Sequence, residues 1–168
     1  MSTLSYLGLG GNLGNPIALF DEVVHFFAEH PHAHQVKESP RYESTPVESN
    51  GPNYINSVVE LHWSGSADEL LHTCMNLEHR LGRVRSVRNA PRLIDVDILL
   101  FGTHALCTEH LIVPHPRMHL RRFVLKPLLD LNPHIEIAGQ GPAHAFLHHT
   151  EDQEIKPLAS PKLGETPC

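Results

Sequence analysis

Asp95 and Asp97 stand one residue apart in an otherwise apolar run, Leu93-Ile94-Asp95-Val96-Asp97-Ile98-Leu99-Leu100-Phe101. Its β-branched and apolar composition predicts a buried strand. Side chains at i and i+2 of a strand leave by the same face, about 7 Å apart. Two carboxylates on one face repel each other and lose hydration, so they call for a cation. An oxygen-only pair suits Mg²⁺, which is usually held by one or two carboxylates together with substrate phosphates. Immediately upstream, Arg83, Arg85, Arg88 and Arg92 fall in a segment with Pro91 and no apolar period, which predicts a cationic loop. Arginine presents a planar fork of donors that matches phosphate oxygens. Carboxylate pair and arginine loop together point to a metal–polyphosphate site. The plainer alternative, two aspartates at a wet strand edge beside a solvated loop, leaves their convergence unexplained.

Composition narrows the partners. A chain of 168 residues fits one domain with a substantial core. No apolar run approaches the length of a membrane span, and no basic stretch followed by an apolar core opens the chain. Cys74, Cys107 and Cys168 are an odd, widely spaced set, expected as reduced thiols of a cytoplasmic protein. Net charge is −6, yet eight of the thirteen Lys and Arg residues lie between Arg80 and Arg122. A basic cleft on an acidic body favours a small anionic ligand over a long nucleic acid. Fifteen histidines include His30, His32 and His34 around Pro31; no cysteine or carboxylate completes a tetrahedral set there, so a solvated turn is expected.

The elements that must position these residues can be read in order. Leu4 to Leu9 predicts a strand running into the Gly10-Gly11 turn. Asn15 and Pro16 predict a helix start, and Phe20, Val23, Val24 and Phe27 give its buried stripe, ending at Pro31. His34 to Glu43 predicts a strand with Pro40 at an edge or bulge, and Ser44 to Pro52 a loop. Tyr54 to His62 predicts the returning strand, with Tyr54, Asn56, Val58, Glu60 and His62 on one face. Ala67 to Leu81 predicts a second helix closed by Gly82. After the Asp-x-Asp strand come a turn, a Pro-His-Pro segment around His115, a basic-to-apolar stretch from Arg117 in which Pro127 limits any helix, and a short strand near Ile135 to Ile137. The order predicts an α+β, ferredoxin-like sandwich: one antiparallel sheet with helices on one face, plus C-terminal additions. One domain is expected over residues 1–150, with 151–168 a loose tail.

Taken together the motifs resemble the 6-hydroxymethyl-7,8-dihydropterin pyrophosphokinase family. The resemblance rests on Gly8-Leu9-Gly10-Gly11-Asn12-Leu13-Gly14, Ser44-Thr45-Pro46, Tyr54-Ile55-Asn56 and Arg83-Val84-Arg85. It continues in Pro91-Arg92-Leu93-Ile94-Asp95-Val96-Asp97, Val113-Pro114-His115-Pro116 and Arg121-Arg122-Phe123. It implies a monomeric enzyme that transfers pyrophosphate from ATP to a pterin alcohol, releasing AMP. It also implies two Mg²⁺ ions at Asp95 and Asp97, and catalytic roles for Arg83, Arg85, Arg92 and Asp97. ATP contacts are implied for Arg88, Arg92, Ile98, Leu111, His115 and Arg121. Pterin contacts are implied for Gly8, Thr45, Pro46, Val47, Tyr54, Asn56, Asp95 and Phe123. Within the loop the chain departs from the commoner family pattern at Ser86, Asn89 and Ala90, which makes Arg88 the substitute candidate at the β-phosphate. Two other readings stay open on the residues alone. One is a ferredoxin-like module binding RNA or a small ligand, which gives the aspartates no task; the other is a different two-metal phosphoryl or nucleotidyl transferase.

Overall fold

A computed structural model describes residues 1–45, 52–82 and 93–158 of the chain. Strand β1 (Thr3–Gly11) alternates Leu7 and Leu9 on one face with Tyr6, Gly8 and Gly10 on the other. Helix α1 (Pro16–Ala28) starts as its sequence requires, with the Asn15 side chain accepting from Ala18 N–H at 3.2 Å and Pro16 at the first turn. Phe20, Val23 and Phe27 bury its inner face. In the turn that follows, the His30 and His32 rings lie 5.1 and 5.7 Å from the Trp63 ring. No cluster of three metal-ligating side chains occurs among the described residues.

The strand expected over His34 to Glu43 is two strands, β2 (Ala33–Glu38) and β3 (Tyr42–Ser44). Pro40 has no N–H for a ladder, and Ser39 takes over locally: its Oγ accepts from Val58 N–H at 3.0 Å. Both strands pair with β4 (Tyr54–Trp63). Helix α2 (Ala67–Gly82) opens with a reciprocal cap in which Ser66 Oγ accepts from Glu69 N–H and Glu69 Oε1 accepts from Ser66 N–H. The Asp-x-Asp run forms β5 (Asp95–Phe101).

Beyond it come the small hairpin β6 (Leu106–Cys107) and β7 (Ile112–Val113), a 3-10 turn at Met118–Leu120, and helix α3 (Arg122–Leu131). Pro127 lies inside α3 and does not end it. The helix forgoes one hydrogen bond there, while Val124, Leu125, Pro127 and Leu128 are all buried by its packing. The expected strand near Ile135 is half of a second hairpin, β8 (Glu136–Ile137) with β9 (Gly141–Pro142), followed by the short helix α4 (Ala143–Leu147).

The main sheet runs β10 (Lys156–Pro157), β3, β4, β1, β5, with β2 also on β4, and every pair is antiparallel. Its edge strand β10 lies within the stretch expected to be a loose tail; main-chain pairing with Tyr42 and Glu43 holds it, whereas 159–168 lie outside the described residues. Helices also cover both faces rather than one. Leu7, Leu9, Val59, Val96 and Ile98 pack with α1 and α2 in one core; Tyr6, Val58, Leu99 and Leu100 pack with α3 in a second core on the opposite face. The second core stops short of Gly8, Gly10, Asp95 and Asp97, and there the sheet stays open.

Candidate active site

The open end of that face is set by strand register. Gly10 lies between Asn56 on β4 and Asp95 on β5, and Gly8 between Val58 and Asp97. With hydrogen in place of a side chain on the central strand, the sheet carries a trough whose far bank is the aspartate pair. A Cβ on Gly10 would stand 2.8 Å from Asn56 Nδ2, and one on Gly8 would stand 3.2 Å from the Leu99 side chain. Asn56 is oriented by its Nδ2 donating to Leu9 C=O at 3.3 Å. The trough belongs to a cavity of about 860 Å³.

Aromatic and cationic groups wall this cavity. Tyr54, 44% exposed, offers a ring that the core does not use. Phe123, from the first turn of α3, lines the cavity and also packs against the second core. The Arg121 guanidinium lies 5.6 Å from the Phe123 ring centroid. His115 is tied by its N–H to Leu99 C=O at 2.9 Å, and its Nδ1 accepts from Arg117 N–H at 3.1 Å. That acceptor role places the proton of the neutral ring on Nε2. Burial, opposed by Asp97 and reinforced by Arg121 and Arg117, holds the His115 pKa below the usual imidazole value. The ring is therefore a neutral donor at physiological pH.

Asp95 and Asp97 are both exposed on the cavity side of β5. The strand segment between them is held from behind, where Glu78 Oε2 on α2 accepts from Val96 N–H at 2.6 Å. Cys74 is buried below, its thiol pushed far up by burial and by the charges of Glu78 and Asp97, so it stays protonated and takes no part in the chemistry. The donor set at the aspartates is oxygen only and supplies two carboxylates, fewer than a closed protein cage needs. It fits a hard divalent cation such as Mg²⁺ that completes its shell with water and phosphate oxygens. Gly82 and Leu93 lie close together: a Cβ on Gly82 would lie 3.5 Å from Leu93 N.

Of the residues singled out in the sequence, Gly8, Thr45, Tyr54, Asn56, Asp95, Asp97, His115, Arg121 and Phe123 line this one cavity. Ile98 and Leu111 do not. Ile98 points to the other face of β5, and both side chains are buried in the core under α1 and α2, so only their main chains could meet a ligand. Pro46, Val47, Arg83, Arg85, Arg88 and Arg92 lie outside the described residues. Gly10 and the segment Asp152 to Ile155 line the cavity without having been singled out. Gly10 was signalled by its i, i+2 spacing from Gly8; the C-terminal segment carried no periodic signal at all.

Comparison with known proteins bears on what such a cavity does. The sequence profile of 7,8-dihydro-6-hydroxymethylpterin-pyrophosphokinase (HPPK) matches residues 6–133. The chain is 39% identical over 137 residues to the 2-amino-4-hydroxy-6-hydroxymethyldihydropteridine pyrophosphokinase of Bacillus subtilis, covering 81% of this chain and 82% of that protein. This chain belongs to the HPPK family. The same-named Pseudomonas aeruginosa enzyme is 38% identical over 79% of this chain and 82% of its own length. The chain is also similar to a domain of larger proteins. The folic acid synthesis protein fol1 of Pneumocystis carinii is 35% identical over 91% of this chain, which spans 21% of that protein. The crystal structure of Plasmodium falciparum HPPK-DHPS A437G with SDX-DHP superposes with a TM-score of 0.69 at 13% identity, over 89% of this chain and 45% of that one, a likeness of fold. In this HPPK chain the trough, the two rings and the aspartate pair thus occur together on one sheet end.

Proposed function

We propose that this HPPK chain transfers the terminal pyrophosphate of ATP to the hydroxymethyl group of 6-hydroxymethyl-7,8-dihydropterin, releasing AMP, in folate biosynthesis. One observation carries the reading. The side-chain-free trough at Gly8 and Gly10, in the cavity that Tyr54 and Phe123 also line, runs up against Asp95 and Asp97. A ring in that slot presents its substituent to the place where two carboxylates and two cationic or donor groups, Arg121 and His115, converge on a polyphosphate.

In the reaction the pterin hydroxyl oxygen forms a bond to the β-phosphorus. The bond from that phosphorus to the oxygen shared with the α-phosphorus breaks, and AMP leaves with the electron pair. Asn56 offers amide donors and an acceptor to the pterin edge, while Tyr54 and Phe123 stack on its faces. Arg121 and the Nε2–H of His115 donate to phosphate oxygens. Asp97 would accept the hydroxyl proton. Asp95 and Asp97 would hold two Mg²⁺ ions, which when bound supply neutralisation of the phosphate charge. Arg83, Arg85, Arg88 and Arg92 would close over the nucleotide, and main-chain groups near Pro46 and Val47 would read the pterin edge.

Taking β2 and β3 as one broken strand, the β-α-β-β-α-β order and the lateral order β3-β4-β1-β5 support a ferredoxin-like arrangement. The free thiols of Cys74 and Cys107 support a reducing, cytoplasmic setting. Incubation with ATP, Mg²⁺ and hydroxymethyldihydropterin tests the activity. AMP and pterin pyrophosphate are expected in equal amounts; ADP, or no nucleotide product, overturns it.

A further inference from the structure

The segment after α4 reaches the cavity wall, and neither the aspartate strand nor the ring slot explains what it does there. Helix α3, which brings Phe123 to the site, begins without a cap of its own: Arg121 stands at the N-cap position and its side chain makes no hydrogen bond to the first turn. Gln153 supplies what is missing. Its Oε1 accepts from Arg122 N–H at 2.9 Å, and its Nε2 donates to Leu120 C=O at 2.9 Å. Those two peptide groups flank Arg121, whose backbone is extended at φ −121° and ψ 113°. One carboxamide therefore grips the main chain on both sides of Arg121, much as a neighbouring strand would.

Gln153 is itself held at both ends. Its N–H donates to Thr150 C=O at 2.9 Å, and Thr150 Oγ1 donates to Leu147 C=O at 2.8 Å. On the other side β10 pairs with β3, and Lys156 Nζ lies 3.6 Å from Glu43 Oε2. Through β3 the same strap adjoins Ser44 and Thr45 on the cavity rim. A side chain so anchored sets the backbone from which Arg121 and Phe123 project, whereas the first turn of α3 alone leaves it an uncapped helix end.

We propose that Gln153 is a positioning residue for pyrophosphoryl transfer, clamping the start of α3 so that Arg121 faces the triphosphate and Phe123 the pterin ring. The inference rests on the functional reading above, which assigns those two ligands. Its test is full-length protein carrying Gln153→Ala or Gln153→Glu. Titrations use the pterin substrate with a nonhydrolysable ATP analogue and Mg²⁺, alongside AMP formation and thermal unfolding. Wild-type turnover checks the functional reading separately. With that activity present, Gln153→Ala is expected to weaken binding of both ligands about tenfold, equivalent to about 1.4 kcal/mol. Glu151→Gln, an exposed change two residues away, leaves both affinities unaltered.

Gln153→Glu gives a readout that a merely structural role would not move. Its carboxylate still accepts from Arg122 N–H but sets a negative oxygen against Leu120 C=O; protonation restores the donor. The ratio of variant to wild-type dissociation constants should therefore fall toward one as pH is lowered from about 7 to about 4, through the carboxyl range. Wild-type affinity in a folded Gln153→Ala variant overturns the proposal. Should Gln153→Ala not fold, a pH-independent ratio in Gln153→Glu overturns it instead.

Discussion

Gly10→Ala should separate binding from folding. The added Cβ would stand 2.8 Å from Asn56 Nδ2, closer than a carbon and an amide nitrogen can approach. Asn56 has one short side chain with which to yield, and yielding breaks its 3.3 Å bond to Leu9 C=O, the contact that orients the amide. A pterin edge then faces a displaced amide, and a methyl group rises from the trough floor. A buried polar group left without its partner costs about 1–3 kcal/mol, so pterin affinity should fall between about fivefold and a hundredfold. Folding should hardly change. Gly10 lies in extended backbone near the end of β1, and replacing glycine by alanine restricts the unfolded chain, a gain of about 0.4–1 kcal/mol that offsets the local crowding. The assay is calorimetric titration of pterin against protein saturated with a nonhydrolysable ATP analogue, alongside urea denaturation. ATP-analogue affinity should stay within twofold. A variant that binds pterin as wild type does would refute the trough as the ring site.

Other perturbations probe the remaining parts. Gly11→Ala meets the Leu93 carbonyl oxygen at 2.7 Å, a backbone atom that cannot swing aside, so urea denaturation should show a loss of about 1–3 kcal/mol. Asp95→Ala and Asp97→Ala remove exposed carboxylates; AMP formation should vanish in each while the thermal midpoint holds, and retained turnover in either would contradict the metal assignment. Burial, with His32 adding, depresses the His30 pKa below 6.5, so the unfolded chain binds more protons as pH falls through that range. Stability from His30 is thus present above about pH 6.5 and lost below it, and His30→Gln should flatten the fall in the denaturation midpoint between about pH 7 and about pH 5. An unchanged slope would assign that loss to other groups.

Local periodicity determined much of this protein. The period of two in β5 put Asp95 and Asp97 on one face, and the same rule paired Tyr54 with Asn56 on β4. The apolar stripes and capping residues of α1 and α2 were equally legible, because helix ends and buried faces depend on residues within a few positions of one another. What lay beyond sequence was pairing between distant segments. The trough exists because register sets Gly10 between Asn56 and Asp95, residues far apart in the chain. The resemblance implied ATP contacts for Ile98 and Leu111, yet their side chains lie in the core on the other side of the sheet from the cavity. The C-terminal stretch has no apolar period, so nothing local marks it as structured. It is fixed by Gln153 reaching Leu120 and Arg122, and by β10 pairing with β3. Helix α3 crossed Pro127 for a similar reason: burial against the second face of the sheet outweighs one missing hydrogen bond, and that face exists only once the strands have assembled.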